Sequence, residues 1–224
     1  RARGGAYRVG RQHDRVSLFD RWAAGYDQAV RGASFPFAGY DHLLRAVLRA
    51  AAVKPGMRVL DVGVGTGNLA QLFVEAGCEV WGVDFSPKML ERARQRLSQA
   101  RLIQADITGH LPEELRIGCE RIVSSYVFHE FPLEEKVALL TRLTDHALGA
   151  GGYLVVGDVG FPNREAYEMA RQHWADEWDE NEFYWVGDEA VEALREAGFD
   201  AAYTQVTVSA GVLVIRPESR EGRA

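Results

Sequence analysis

The chain has 224 residues, a hydrophobic content of 47% and a formal net charge of −6. Its length allows one domain with at most a small appendage, and its hydrophobic content is that of a globular protein with a large core. The acidic balance argues against a large nucleic-acid interface, which needs a basic face. Cys78 and Cys119 are too few for a disulfide framework.

The sequence has neither an apolar run of about 18 residues, which a membrane helix needs, nor a signal peptide. We therefore expect a cytoplasmic protein that does not enter a membrane. Residues 1–16 carry five arginines among glycines and polar residues. We expect a loosely ordered, flexible tail there, with a basic arm that contacts RNA or another acidic partner as the alternative.

Strand-like apolar runs alternate with amphipathic helices from Met57 onward. The predicted strands have the sequences MRVLDV, CEVWGVD, ARLIQAD, RIVSSYV, GAGGYLVVGD, AAYTQVTV and GVLVIRP. Four helices are predicted, at about 68–76, over SPKMLERARQRL, over PLEEKVALLTRLTDHAL and at about 188–198. The second of them has Ser86 as its N-cap and Pro87 at its first position. The last two strands flank a short turn at 209–211 and predict an antiparallel hairpin.

This alternation predicts an α/β fold whose parallel sheet is covered by helices on both faces. Ligands of such sheets bind beyond the carboxyl ends of the strands, so the glycine loop, Asp84, Asp106 and the turn 125–131 are expected around one crevice. We expect a single domain over 17–217. Two aromatic-rich segments lie outside the alternation, a helical segment at about 17–52 and an insertion at about 161–186, and both are predicted as lids. The alternative for the insertion is an apolar helix face that packs on the sheet edge.

The glycine loop in VLDVGVGTGNLA admits two classes of cofactor. Its GTGNLA stretch satisfies the G-x-G-x-x-A form of dinucleotide-binding loops, so spacing leaves a nicotinamide cofactor open. Asp61 favours another ligand, because a carboxylate at the mouth of the loop repels a pyrophosphate and attracts a sulfonium and an ammonium group. S-adenosylmethionine carries both groups and no phosphate. The structural alternative for Asp61 is hydrogen bonding to backbone amides of the loop.

Residues after the second and third strands fit an adenosine. Asp84 lies 17 residues after the last glycine of the loop, where a carboxylate can accept hydrogen bonds from both ribose hydroxyls. Asp106 can accept from the adenine amino group, with the Ile107 backbone N–H facing a ring nitrogen. The alternative for Asp106 is a solvent-facing residue at a strand end. Phe85 and Met89 can flank the adenine ring, although apolar residues here are equally typical of a core.

The successive motifs resemble those of one family. VLDVGVGTGNLA, VWGVDFSPKML, QADI and LGAGGYLVVGD are similar to the motifs of class I S-adenosylmethionine-dependent methyltransferases, and FDRWAAGYD and SSYVFHEF are most similar to a bacterial branch known as YrrT. The resemblance covers about 17–217. It implies a Rossmann-like, doubly wound, mostly parallel sheet of seven strands in the order 3-2-1-4-5-7-6. It also implies that S-adenosylmethionine is held by Gly63, Val64, Gly65, Gly67 and Ser125.

Methyl transfer from a sulfonium is an in-line displacement, so the enzyme chiefly aligns the reactants and excludes water. A general base is needed only if the acceptor must lose a proton. In the family's architecture Tyr126 and His129 lie beside the methionine end of the cofactor, and His129 can remove a proton or, alternatively, order the turn. Tyr26 is predicted to cap the cofactor or else to pack, and Glu130 to start a helix.

The acceptor is expected to be a small molecule. SSYV departs from the N/D-P-P-Y motif of enzymes that methylate base or glutamine nitrogens, and neither the aspartates nor the histidines have metal-ligand spacing. An RNA acceptor reached through the arginine-rich tail is the less favoured alternative. Two other functions remain open, a nicotinamide-dependent oxidoreductase and a non-catalytic protein that binds S-adenosylmethionine or S-adenosylhomocysteine. A monomer or a homodimer is expected.

Overall fold

The computed structural model describes residues 25–30 and 34–218. The predicted tail and part of the predicted segment 17–52 lie outside these residues. The described helices are α1 Tyr26–Ala29, α2 Tyr40–Ala51, α3 Asn68–Glu75, α4 Pro87–Arg96, α5 Leu133–Ala147, α6 Arg164–His173 and α7 Gly187–Glu196. The described strands are β1 Arg58–Val62, β2 Glu79–Asp84, β3 Arg101–Gln104, β4 Cys119–Ser125, β5 Leu148–Phe161, β6 Trp185–Val186, β7 Phe199–Gln205 and β8 Ala210–Pro217. None of the described helices is both long and apolar enough to cross a membrane.

The strands form one sheet with the order β3-β2-β1-β4-β5-β8-β7. Strands β1 to β5 pair in parallel, while β8 pairs antiparallel with both β5 and β7. The short strand β6 pairs in parallel with the end of β5, and the sequence did not predict it because two residues show no alternation. Because β6 was not predicted, the predicted strands 6 and 7 correspond to β7 and β8. The predicted order 3-2-1-4-5-7-6 and its antiparallel hairpin are therefore confirmed.

Successive side chains of the central strands supply the cores on both faces of the sheet. Val59 of β1 packs in a cluster with Leu43 of α2 and Phe73 of α3. Leu60, the next residue, packs in a second cluster with Leu140 of α5. Because neighbouring residues of a strand point to opposite faces, a continuously apolar strand serves helices on both sides. The doubly wound α/β fold is thereby confirmed.

Local sequence supplies a cap at the start of α4 but none at the start of α3. The Ser86 hydroxyl accepts a hydrogen bond from the Met89 backbone N–H at 3.2 Å, and Pro87 occupies the first turn of α4, as predicted. In contrast, α3 follows Gly67, which has a φ of +88° and no side chain to cap the helix. The amino end of α3 therefore depends on other segments for a capping group.

The aromatic insertion folds as α6 and a return segment that leads to β6. Phe35 stacks on Trp174 and Trp178 with ring-centroid distances of 5.0 and 5.6 Å. Trp178 meets Tyr184 edge-on at 4.6 Å, and Phe161 at the end of β5 contacts both tryptophans. These rings fill the space between one another, which favours the packing alternative for the insertion.

Candidate active site

A crevice opens at the carboxyl ends of the parallel strands. The turns after β1, β2, β3 and β4 form its walls, and α1 reaches it from outside the sheet. Among the residues predicted for binding or catalysis, those that line the crevice are Tyr26, Gly63, Gly65, Asp84, Phe85, Met89, Asp106, Ile107, Ser125 and Tyr126. Asp61, Val64, Gly67 and His129 are not part of its lining. Its place in the fold follows the rule for ligands of open parallel sheets.

Two glycines bring the loop backbone to the crevice. Gly63 has a φ of +71°, and a Cβ built there would lie 2.3 Å from a methyl group of Val127. Gly65 has a φ of +53°, and a Cβ there would meet only the Gly63 carbonyl oxygen, at 3.9 Å. Because Gly65 lines the crevice, a ligand can approach the loop backbone closely at this residue.

Asp84 joins the glycine loop to the end of β2. Its Oδ2 accepts a hydrogen bond from the Gly65 backbone N–H, and its Oδ1 accepts one from the Ser86 backbone N–H, each at 2.9 Å. Asp84 is 8% exposed and lines the crevice. Since each carboxylate oxygen has two acceptor positions, these bonds orient the carboxylate and still allow it to accept from a ligand hydroxyl.

Asp61 lies beneath the loop rather than at its mouth. Strand β1 continues through Val62, so Asp61 is still inside the strand, where it is 1% exposed. Neither carboxylate oxygen has a hydrogen-bond partner among the described residues. Burial, followed by the charge of Asp84, raises the pKa of Asp61 well above its ordinary value. A cation bound nearby would lower this pKa, whereas a phosphate would raise it further.

The turn after β3 holds Asp106 at the crevice wall. Its Oδ1 accepts hydrogen bonds from the backbone N–H and the hydroxyl of Thr108, at 2.8 and 2.7 Å. Side-chain bonds of this kind fix the direction of a turn. Asp106 and Ile107 therefore line the same crevice as Asp84, as the adenosine hypothesis requires.

Tyr126 combines an uncommon backbone conformation with a buried hydroxyl. Its φ is +54°, which is rare for an aromatic residue. Its ring stacks on Tyr40 at 5.3 Å and lies 5.1 Å from the ring of Phe37. The hydroxyl has no hydrogen-bond partner in the part of the chain that is described. Burial, followed by the charge of Asp158, raises the pKa of Tyr126 well above its ordinary value, so the hydroxyl keeps its proton.

His129 lies behind the turn, between two carboxylates. Its Nδ1 is 2.6 Å from Asp158 Oδ1, its backbone N–H donates to Asp158 Oδ2 at 3.0 Å, and its Nε2 is 3.7 Å from Glu182 Oε1. Burial alone would lower the pKa of His129, but Asp158 and then Glu182 raise it to about 9. The imidazole is therefore a cation at neutral pH and has no basic nitrogen to accept a proton. This placement favours the ordering role over proton removal.

Some residues that line the crevice were not predicted individually: Val83, Ala105, Val127, Glu130 and Phe131. Val83 and Ala105 are apolar residues at strand ends, and nothing in the sequence distinguishes them from core residues. The other three belong to the turn 125–131, which was expected at the crevice as a whole. Glu130 ends a short 3-10 helix, Phe128–Glu130, and α5 begins only at Leu133. It therefore reaches the crevice and does not start the helix.

Comparisons with known proteins identify the family. A family model described as a methyltransferase domain matches residues 59–152. The chain is 34% identical over 206 residues to the uncharacterized methyltransferase YrrT of Bacillus subtilis, and the aligned region covers 85% of this chain and 92% of that protein. The chain belongs to the YrrT-type methyltransferases. This methyltransferase is also 33% identical over 205 residues to an uncharacterized methyltransferase of Geobacillus kaustophilus, with 85% of this chain and 91% of that protein covered. The family and the methyltransferase activity expected from the sequence motifs are confirmed.

Two solved structures share the fold of this methyltransferase. The DhpI–SAH complex is 18% identical and aligns with a TM-score of 0.69 over 92% of this chain and 96% of that chain. The magnesium protoporphyrin IX methyltransferase of Synechocystis with bound SAH is 19% identical. It aligns with a TM-score of 0.65 over 90% of this chain and 99% of that chain. Both likenesses support the Rossmann-like fold, and neither identifies the acceptor of this methyltransferase.

Proposed function

We propose that the enzyme binds S-adenosylmethionine in the crevice and transfers its methyl group to a small molecule. The observation that carries the cofactor assignment is the set of carboxylates around the glycine loop. Asp84 accepts a hydrogen bond from Gly65, Asp61 lies beneath the loop, and Asp27 of α1 accepts a hydrogen bond from Thr66. A dinucleotide places its pyrophosphate at this end of the helix. The charge of Asp84 and the raised pKa of Asp61 both disfavour a phosphate here, whereas the cationic methionine end of S-adenosylmethionine would be attracted and would favour ionised Asp61.

The proposed adenosine contacts follow the crevice walls. Asp84 accepts hydrogen bonds from the ribose hydroxyls, because its carboxylate is oriented by two backbone N–H groups and lines the crevice. Asp106 and the Ile107 backbone N–H bind the polar edge of adenine. Phe85 and Met89 flank the ring, and both line the crevice.

The glycine loop and the turn after β4 are proposed to hold the methionine end. Gly65 and Ser125 both line the crevice, and a Cβ at Gly65 would meet only the Gly63 carbonyl oxygen, at 3.9 Å. Asp61 does not line the crevice, and a cationic ligand above it would lower its raised pKa and favour its ionised form. Val64 and Gly67 shape the loop. Tyr26 covers the site.

The chemistry of transfer makes few demands on the protein. Bound S-adenosylmethionine supplies a methyl group that is already activated by a positively charged sulfur. The protein aligns the acceptor with that methyl group and excludes water. Tyr126 keeps its proton and is proposed to orient the acceptor through a hydrogen bond, while charged His129 orders the turn. Since neither residue accepts a proton at neutral pH, the site best suits an acceptor that is nucleophilic without a base.

Two features support a small acceptor. The crevice is enclosed from several directions, with Tyr26 of α1 and Phe131 of the turn after β4 in its lining, as is usual for small-molecule sites. The net charge of −6 disfavours a nucleic acid.

The cofactor proposal is tested by calorimetric titration of S-adenosylmethionine, S-adenosylhomocysteine and NADH into wild type, Asp84→Asn and Asp200→Asn. Asp200 is an exposed residue of β7 and serves as the matched control. Asp84→Asn loses charge-assisted hydrogen bonds to two ribose hydroxyls. We therefore expect it to bind S-adenosylmethionine and S-adenosylhomocysteine about 100-fold more weakly than wild type, whereas Asp200→Asn binds them normally. Binding of NADH alone, or of none of the three to folded wild type, would contradict the proposal.

The acceptor proposal is tested with S-adenosylmethionine that carries a radioactive methyl group. The enzyme is incubated separately with two fractions of one bacterial extract, its small molecules and its total RNA. Label is expected in the small-molecule fraction and not in RNA. Label in RNA alone would contradict the proposed acceptor class and leave the cofactor assignment intact.

A further inference from the structure

Asp27 connects the short helix α1 to the glycine loop. Its Oδ1 accepts hydrogen bonds from the Thr66 hydroxyl at 2.6 Å and from the Asn68 side-chain amide at 3.0 Å. Its Oδ2 pairs with the Arg96 guanidinium at 2.5 Å, and Arg96 also donates to the Asn68 side chain. We call these four residues the Asp27 cluster. The cluster joins α1, the start of α3 and the end of α4.

The amino end of α3 explains why a carboxylate is stable at this position. This helix has no side-chain cap of its own, and an anion near a helix amino end is favourable. Burial disfavours the ionised form of Asp27, but hydrogen bonds from Thr66, Arg96 and Asn68 outweigh burial and lower its pKa. Asp27 is therefore a carboxylate at neutral pH and supplies the missing negative charge from outside the helix.

Tyr26 precedes Asp27 and lines the crevice. Burial, followed by Tyr40, Tyr126 and the charge of Asp84, raises the pKa of Tyr26 well above its ordinary value. Its hydroxyl thus lies among the groups that surround the proposed cofactor. A helix of four residues has little stability of its own, so the position of Tyr26 depends on the contacts that its neighbour makes.

The Asp27 cluster combines a partly exposed ion pair with a hydrogen bond to a buried hydroxyl. The Arg96 and Asp27 side chains are 31% and 30% exposed, and ion pairs with this exposure are individually weak. Thr66 is 2% exposed and follows Gly65, whose N–H is bound by Asp84. The loop residues that meet the cofactor and those that anchor α1 are therefore neighbours in the chain.

We propose that Asp27 is a positioning residue that holds Tyr26 over the bound cofactor and slows its release. The inference rests on the proposed S-adenosylmethionine site. Because the same loop contacts the cofactor and anchors α1, cofactor binding and closure of Tyr26 stabilise each other.

The test measures the dissociation rate of S-adenosylhomocysteine by stopped-flow displacement. Asp27→Ala removes every contact of the cluster to α1, and we expect release to be about tenfold faster, as the loss of a charge-assisted hydrogen bond predicts. Asp27→Asn, which can still accept from Thr66 and Asn68, is expected to release at an intermediate rate. Once Tyr26→Ala has removed the ring that Asp27 positions, the additional Asp27→Ala substitution is expected to change nothing.

The matched control is Glu120→Ala. Glu120 accepts a hydrogen bond from the Arg58 backbone N–H at 2.8 Å and lies 3.7 Å from its guanidinium, between the starts of β1 and β4. This partly exposed carboxylate lies at the amino ends of the central strands, whereas the crevice lies at their carboxyl ends. Its loss is expected to leave release of S-adenosylhomocysteine at the wild-type rate.

The possible outcomes separate this inference from the proposed function. Equal release from wild type and Asp27→Ala would overturn the inference and leave the cofactor assignment intact, as would independent effects of the Tyr26 and Asp27 substitutions. Failure of wild type to bind S-adenosylhomocysteine would overturn both. Melting curves without ligand check folding. If Asp27→Ala does not fold, Arg96→Gln replaces it. This substitution removes the exposed ion pair and the Arg96 hydrogen bond to Asn68 but keeps the bonds of Asp27 to Thr66 and Asn68, so release is expected to be about threefold faster. An unchanged rate would overturn the inference.

Discussion

Two polar clusters fasten the segments on either side of the crevice, and they differ chiefly in burial. The Asp27 cluster ties α1 to the glycine loop through an ion pair that is about one-third exposed. In the second cluster, Asp158 of β5 bonds to His129, whose other ring nitrogen faces Glu182 of the insertion. Asp158 is only 2% exposed. Water can therefore compete more readily for the Asp27–Arg96 pair than for the Asp158–His129 pair.

Burial also makes the second cluster a chain of mutually dependent charges. Lys136 of α5 donates to the Phe183 carbonyl and lies 4.1 Å from the centroid of the Trp185 ring. Burial, partly offset by Asp158, lowers the pKa of Lys136 to about 7. Burial would raise the pKa of Asp158, but His129 and then Lys136 lower it. We call Glu182, His129, Asp158 and Lys136 the Asp158 cluster.

The comparison assigns different roles to the two flanking segments. The insertion is held by interlocked aromatic rings and by the hydrogen bond from buried Lys136 to the Phe183 carbonyl, so we assign it to the fixed structure beside the crevice. Helix α1 is only four residues long and is held partly by an exposed ion pair, so it is the element expected to admit and release a ligand. Both segments were expected to be lids. Only α1 has the weak, partly exposed contacts that allow a segment to open locally.

The largest effect that sharpens this comparison is expected for Asp158→Asn. It removes the buried carboxylate that pairs with His129 at 2.6 Å and leaves only the more distant Glu182, at 3.7 Å, which predicts a loss of about 3–5 kcal/mol in the free energy of unfolding. Asp27→Asn, the same chemical change in the exposed cluster, is expected to lose less than about 1 kcal/mol. Urea unfolding at pH 7 measures both. Similar losses for the two variants would contradict the distinction.

The next effect is the pH dependence of His129→Gln. The folded pKa of about 9 lies above the ordinary value of 6.5, so the native state binds the proton more tightly. The stabilisation from His129 is therefore fully present below pH 6.5 and is lost as pH rises through 9. The stability difference between wild type and variant is expected to fall by roughly 2–3 kcal/mol between pH 6 and 9.5. Urea unfolding at these two pH values measures it, and a constant difference would argue against the ion pair.

The smallest change in stability, with a selective effect on binding, is expected for Gly65→Ala. Gly65 and Gly151 have φ values of +53° and +74°, and neither has a nearby atom that an added Cβ would strike. Each substitution to Ala is expected to lose about 1 kcal/mol of stability through backbone strain. Of the two, only Gly65 lines the crevice, so only Gly65→Ala is expected to weaken S-adenosylmethionine binding, by about tenfold or more. Calorimetry that showed equal binding by both variants would remove the loop from the cofactor site.

The sequence predicted those features that depend on local pattern. Apolar alternation and turn residues placed the strands, and the glycine loop and Asp84 lie together because both follow neighbouring parallel strands. Pro87 after Ser86 predicted the start of α4 for the same local reason. The resemblance to known methyltransferases added the strand order, which local pattern alone does not specify.

The remaining features depend on contacts between distant residues. The charge of His129 depends on Asp158, 29 positions later, and Asp27 depends on Arg96, 69 positions later. No spacing rule predicts such pairs without a known fold. Asp61 was placed at the mouth of the loop because it lies two residues before Gly63, whereas β1 continues through Val62 and keeps the carboxylate buried beneath the loop.

Hydrogen–deuterium exchange with and without S-adenosylhomocysteine tests the central claim most directly. The claim is that the cofactor loop and α1 close together while the insertion stays fixed. Added ligand is expected to slow amide exchange in 25–30 and 65–68 and to leave exchange in 182–186 unchanged. Slowed exchange in the loop without any change in α1, or equal slowing in the insertion, would contradict the account.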